Sequence, residues 1–445
     1  MTAKFARRQR RMQRKDESGV VILLVAIVLL FVVGAMAALA IDVVTNYTAR
    51  SEAQLAADSA ALAGARVVAN SGMTSRPGDV LLVADGETLA RAAATQVATS
   101  NKVGGRNLAA GEVTVTFLGS SSVGGGGLGS NPRITVQVRR DDLPTFFARI
   151  WGTTQTTVSA TATAEAYNAS GRNGSVGQSP PVAPVCVKPW VLPNISPADN
   201  VSAIFNPVTG AIQDPNLIGW RDIDNPPVFY SRCTGSGPNS NWCSYWDPSH
   251  AGAQAWRYYP ALQSSFPAPT QSLQSCTAGF QPYQLSIAGC VTTPIACNGT
   301  IDLDTSNYIL RNTQTAAAVN CLAHSENDQG DTVAANPPGQ AFQFSGGGDN
   351  PIPAVASQNV TVSDALVTVP VYQGSNVNVV PPTTVQIIGF VQMFLNPDGM
   401  HAGDGNPPRI RTQIVNLVGC GTNSTGEPIF GNGASPVAVR LVSSP

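Results

Sequence analysis

Residues 20–41, VVILLVAIVLLFVVGAMAALAI, run without a break into residues 42–70, DVVTNYTARSEAQLAADSAALAGARVVAN. The first stretch holds 22 residues with no charge, interrupted only by Gly34. At 1.5 Å per residue such a helix is roughly 33 Å long, enough to cross a hydrocarbon core of about 30 Å. A cleaved signal peptide would carry an apolar region of about 7–15 residues closed by a small-residue cleavage site. Ala35 to Ala40 supplies small residues, but the run is longer than that and the pattern after it stays helical, so an uncleaved anchor is expected. Seven of the first fifteen residues are cationic: Lys4, Arg7, Arg8, Arg10, Arg11, Arg14 and Lys15. Cationic flanks stay on the cytoplasmic side, which predicts a single-pass protein of the cell membrane with everything after Asp42 exported, to the periplasm or beyond.

The second stretch has no proline and only Gly64 as an internal breaker, so the membrane helix is expected to continue outward. Ala56, Ala60 and Gly64 form a row at four-residue spacing, and Ala53, Ala57, Ala61 and Ala65 form the next; such rows let another backbone approach closely. A polar row, Asp42, Asn46, Arg50, Gln54 and Asp58, has the same spacing. It reads either as a solvated, self-satisfied ladder or, together with Ala60 and Gly64, as a docking stripe for a partner helix.

Gly19, the apolar run, Ala40-Ile41-Asp42, Arg50, Gln54 and the stretch from Ala57-Asp58-Ser59 to Ala65 resemble the N-terminal segment of TadG-like pilus-assembly proteins of the bacterial Flp, or tight-adherence, system. Leu143 to Gly152 and Thr157 to Ala164 are similar to later stretches of that family. The resemblance implies envelope-anchored assembly of Flp-type pili, with the inner membrane and other pilus-assembly or pilin-like proteins as partners, and no catalysis. The Asp-x-Ser-x-Ser loop of the von Willebrand A domain in larger relatives is absent, so that metal site is not carried over. A processed pilin of this system would resemble a Gly followed by Glu at the fifth position, where this chain has Leu24 after Gly19.

Removing the seven cations of the head and its acids Asp16 and Glu17 leaves 19 cations against 25 acids. That balance lacks the basic footprint of a nucleic-acid binder. With 42 glycines and 33 prolines the outward part should be built from turns and short strands. Asp85 to Ser100 is a helix candidate. Val113-Val115-Phe117, Ile134-Val136-Val138 and Val158-Ala160-Ala162-Ala164 alternate with period two and read as half-buried strands. Between the last two, Leu143, Phe146, Phe147, Ile150 and Trp151 fall at helical spacing, which predicts a capping helix closed by Gly152. The glycine-rich Ser121 to Ser130 lacks the Lys-Ser/Thr of a phosphate loop and reads as an inter-strand loop.

The expected organisation is a basic head (1–19), the span (20–41), a helix plus small α+β domain (42–167), a Gly/Ser/Pro linker (168–184) and a cysteine-rich, mostly β exported domain (185–445). The fold class is α+β: one transmembrane helix, a small antiparallel sheet, then the disulfide-bonded β domain. All eight cysteines, Cys186, Cys233, Cys243, Cys276, Cys290, Cys297, Cys321 and Cys420, follow the linker. An even count confined to an exported, loop-rich region reads as disulfides; eight cysteines allow 105 pairings, of which a local Cys233–Cys243 loop is one expectation. Zinc wants ligands two to four residues apart, and the closest cysteines are Cys290 and Cys297. Strands are expected near Leu366 to Tyr372, Val385 to Leu395, Ile410 to Val418 and Val437 to Val442.

Catalytic patterns are thin. His250, His324 and His401 lie in polar loops without a nucleophile elbow, so no enzyme, cofactor or metal is expected. The aromatic cluster Trp242, Tyr245, Trp246, Trp256, Tyr258 and Tyr259 reads as a compact core or as a sugar or peptide site. The acidic loops Asp302 to Ser306 and Asn396 to Asn406 lack the full calcium-hand pattern. The alternative to a pilus-assembly role is an exported adhesin or ligand-binding module on the same anchor.

Overall fold

The computed structural model describes residues 3–118, 131–171, 180–197, 201–218, 228–231, 255–269, 275–304, 308–324, 329–334, 340–348, 350, 357–360, 363–374, 383–395, 410–430 and 435–442. The Gly-rich loop from Ser121, residues 172–179 of the linker, Cys233, Cys243, His250, His401, Trp242, Tyr245, Trp246 and the Asn396 to Asn406 loop lie outside the described residues. Contacts divide the chain into two compact units: Met1–Ala57 with Val97–Thr114 and Gln137–Thr161, and Asp58–Gln96 with Val115–Val136 and Ala162–Pro445.

Helix α1, Ala3–Asn70, is a single element of 68 residues, and α2 is Val80–Ser100. The apolar window of α1 has none of its residues buried, and Val20 to Val33 are exposed along the run. It is a helix long and apolar enough to cross a membrane.

In the first unit α1 turns its alanines inward: Ala49, Ala53, Ala56 and Ala57 are fully buried. The short hairpin β1 (Lys102–Val103) and β2 (Arg106–Asn107) turns through Gly104 and Gly105, both at positive φ. The Gly104 N–H donates to Glu52 Oε2 on α1 at 2.6 Å. Strand β3 is Val113–Leu118, β4 Arg133–Pro144 and β5 Gln155–Tyr167, so each predicted alternating segment is a strand. The capping helix over 143–151 does not form: β4 continues to Pro144, and only Ala148–Trp151 make a 3-10 turn, ended by Gly152 at φ 88. The helical spacing there is outweighed by Thr145, whose N–H and hydroxyl bond to Thr154 O and Thr153 O, which closes a compact loop in place of a helix.

The second unit carries most of the sheet. Its strands are β6 (Val182–Ala183), β7 (Trp190–Pro193), β8 (Val228–Ser231), β9 (Ala255–Pro260), β10 (Thr300–Asp302), β11 (Thr332–Val333), β12 (Phe344–Ser345), β13 (Asn359–Val360), β14 (Leu366–Tyr372), β15 (Thr384–Leu395), β16 (Ile410–Gly419), β17 (Ile429–Phe430) and β18 (Ala438–Val442). The main sheet runs β10-β15-β14-β7-β9-β8-β16, and β16 pairs again with β15. Among the described residues the pairings β14-β15-β16-β8-β9-β7 therefore return to β14 and form a closed ring, its β14–β7, β7–β9 and β16–β8 links being two residues long. The last strand, β18, joins a four-stranded sheet of order β18-β5-β4-β3, with Ala438 opposite Tyr167. Helices α3 (Pro282–Ala288) and α4 (Tyr308–Ala323) give Tyr283, Ile287, Val319 and Leu322 to the same core as Trp190, Val369, Met393 and Ile414. All seven residues of β14 are buried, as expected of a strand covered on both faces.

Among the described residues three disulfides join distant parts of this unit: Cys186–Cys290, Cys276–Cys321 and Cys297–Cys420, with sequence separations of 104, 45 and 123. Long loops closed in this way restrict the unfolded chain most.

The outer end of α1 is held by a buried polar network. Its last carbonyls need partners once the helix stops. Asn416 Nδ2 donates to Ala69 O and to Gln392 Oε1, both at 2.6 Å, and Gln392 Nε2 donates to Asn70 Oδ1 at 3.2 Å. Ser75 Oγ donates to Leu417 O at 3.0 Å and accepts from the Leu417 N–H at 2.9 Å, and Asn168 Nδ2 donates to Leu417 O at 3.0 Å. Gln392 and Asn416 face each other where the β15–β16 register shifts, an irregularity of the kind that re-aims side chains. Gly72, at φ 84, turns the chain beside Ile218, Phe342 and the Val415 carbonyl, where a Cβ would crowd all three.

Fully buried Lys188 donates to Ile287 O and Gly289 O at 2.6 and 2.9 Å, serving carbonyls at the end of α3. Burial pushes its ammonium down to about 8, partly offset by the charge of Asp364.

Asn416→Ala should lower the unfolding free energy by about 2–4 kcal/mol, because Ala69 O and Gln392 lose buried partners, whereas Arg139→Ala at an exposed ion pair should change it by less than about 0.5 kcal/mol. Urea titration of the detergent-solubilised chain measures both. For Lys188 the unfolded side chain binds its proton up to about 10.5 and the folded one only to about 8, so the unfolded state holds more protons in that window and stability should rise from pH 8 to 10.5. Lys188→Met should remove that rise.

Candidate functional site

The candidate site lies on α1 where the apolar run ends. Asp42 is the first charged residue after it, and its carboxylate accepts three successive backbone N–H groups: Phe146 to Oδ1 at 2.9 Å, Phe147 to Oδ2 at 3.1 Å and Ala148 to Oδ2 at 2.7 Å. The 3-10 turn has no cap of its own at Phe147, so these amides would otherwise be orphaned. A carboxylate 104 residues earlier in the chain supplies the cap, with charge-assisted hydrogen bonds. Gly152 N donates to Arg149 O at 3.0 Å and Thr153 N to Ala148 O at 3.1 Å, so the turn is closed from both sides.

Farther along the helix the same unit is bound by charge. Arg106 reaches Glu112 at 2.5 Å and Asp142 at 2.7 Å, and Arg140 Nε reaches Asp142 at 2.7 Å. The Arg106 and Arg140 guanidiniums hold the Asp142 carboxyl down to about 2. Arg140 is buried and also donates to the Val103 and Gly104 carbonyls.

The residues of the expected stripe are not on one face. Four residues overshoot a helical turn by about 40°, so a row spaced by four drifts around the axis. Asp42 faces inward with Ala49 and Ala53. Asn46, Arg50 and Gln54 are exposed, with Gln54 Nε2 within 3.5 Å of Thr161 O, and Asp58 is half-buried. Ala60 and Gly64 are buried, and Gly64 lies against Ile134, the Ala90 carbonyl and Ala94, so the backbone approaching it is this chain's own α2. The outward face of α1 instead presents Val44, Tyr47, Ser51 and Leu55. The pairing of Asp42 with Phe146–Ala148 joins two segments that the sequence marks separately, and only their contact is hidden in it.

Of the aromatic cluster, Tyr258 and Tyr259 are 2% and 1% exposed and belong to the interior; Tyr258 shares Thr315 Oγ1 with Tyr283. His324 stands at positive φ after α4. Among the described residues no group of three or more His, Cys, Asp or Glu side chains is placed to hold a metal ion.

These features define a class: a chain with one span-length apolar helix that runs on as the packing helix of an α+β body tied by disulfides. Within it, residues 19–67 match the Tad family, described as "Putative Flp pilus-assembly TadE/G-like". The match takes in the apolar run and the continuation of α1 to Val67. No curated protein and no solved structure matches the chain.

Asp42→Ala should free the Phe146, Phe147 and Ala148 amides, raising their hydrogen-exchange rates about 10- to 100-fold while those of β14 stay unchanged. Unaltered exchange at the three amides would contradict the capping role.

Proposed function

We propose that this chain is a membrane-anchored envelope protein that assists assembly or anchoring of Flp-type pili, with its N-terminus cytoplasmic and its bulk exported. The observation that carries the reading is the Tad family match at residues 19–67, which coincides with the apolar run and its outward continuation. Two features support it. The cationic head favours the cytoplasmic side for the N-terminus. The three disulfides suit an oxidising compartment outside the cytoplasm.

The role is structural, and no reaction is assigned. Partners of the inner membrane assembly machinery would meet α1 on its exposed face, through Tyr47, Arg50, Ser51 and Leu55, since Ala60 and Gly64 are occupied by the chain's own packing.

Deleting the gene in a piliated host should abolish surface fibres and adherence, and the intact chain should restore both; a chain in which Val28, Phe31 and Val32 are replaced by Arg should not. Normal fibres in the deletion strain, seen by electron microscopy, would remove the proposal.

A further inference from the structure

We propose that the turn Ala148–Trp151, with Phe146 leading into it, rests on the lipid headgroup layer beside the outer end of the apolar run and gives the protein a second, peripheral membrane contact. The inference rests on the reading of residues 20–41 as a membrane span.

The helix serves as a ruler. Asp42 follows Ile41 directly, so its carboxylate stands at the edge of the hydrocarbon layer, and its bonds to the Phe146, Phe147 and Ala148 amides at 2.7–3.1 Å fix the turn at that height. The next attachment, Gly104 N–H to Glu52, lies ten residues on, about 15 Å farther from the membrane. The two attachments thus rank the segments of this unit by depth, with the Phe146 turn nearest the lipid.

What the turn exposes suits that position. Phe146 is 60% exposed, although Thr145 before it is buried, and Arg149, three residues on in the same turn, is exposed. At the same level α1 itself presents Val43, Val44 and Tyr47, the last 78% exposed. An exposed aromatic ring and an exposed cation in one short turn suit a layer whose inner part is apolar and whose outer part carries phosphate. More than half of the Phe146 surface is left open by the described residues, and a membrane around the span would be continuous with the exposed apolar surface of α1. The three-bond cap at this spot ties the turn to α1, so its height above the span is set by that of Asp42.

The test uses the full chain in phosphatidylcholine–phosphatidylglycerol nanodiscs. p-Azidophenylalanine is placed in turn at positions 146, 102 and 31 and coupled to an NBD fluorophore, which leaves the disulfides untouched. Lipid carrying a headgroup nitroxide should quench the probe at Phe146 at least twofold more than the probe at Lys102, and acyl-chain nitroxide should quench the probe at Phe31. If the Phe31 probe is quenched and the Phe146 probe responds no more than the Lys102 probe, the peripheral contact is overturned while the span stands. If the Phe31 probe is not quenched, the span reading fails and the inference falls with it.

Discussion

An apolar helix of 22 residues, exposed throughout except at Ala38, is the constraint on which the rest of this structure depends. In water its side chains would expose a long hydrocarbon surface, and a helix is one of the few backbone forms that can enter lipid with every internal hydrogen bond made. The helix then continues for almost thirty residues beyond Ile41, and this continuation has to change solvent along its length. It does so by changing side chains: leucine, isoleucine and valine give way to alanine on the face that packs and to polar groups elsewhere.

Two polar devices close that outward helix. Near the apolar run, Asp42 gathers three amides of a turn more than a hundred residues away. At the far end, Asn416 and Gln392 reach from adjacent strands to Ala69 and Asn70 and so provide for the last turn of α1. The first pairs exposed and part-buried amides with a carboxylate, and the second satisfies groups that would cost free energy if left buried and unpaired. Disulfides and the ring of strands then enclose a core to which strands and helices both contribute, among it Val369, Met393, Ile414, Ile287 and Leu322.

Much of this was legible in the sequence because the signal is periodic or compositional. The long apolar helix follows from length and lack of charge, and the strands β3 to β5 follow from alternation. The strands β14 to β16 follow from short apolar runs bounded by turn residues. What stayed hidden is non-local. Leu143 to Trp151 carries helical spacing, yet Asp42 and the Thr145 bonds make it an extended strand end and a single turn. Gln392 and Asn416 read as polar interruptions of two strands, and only their register partner shows that they serve a helix end. The even cysteine count indicated disulfides, but no spacing rule selects Cys186–Cys290, Cys276–Cys321 and Cys297–Cys420, since each pair is brought together by the fold. The stripe at four-residue spacing looked continuous on paper and drifts around the helix in space.

The most direct test of the central claim is membrane topology in cells. Alkaline phosphatase, which is active only after export, would be fused after Ser18 at the end of the basic head and, separately, after Pro445. The account predicts an inactive fusion at Ser18 and an active one at Pro445, with the Pro445 fusion retained in the membrane fraction after carbonate washing. An active fusion at Ser18, an inactive one at Pro445, or a Pro445 fusion released by carbonate would contradict it.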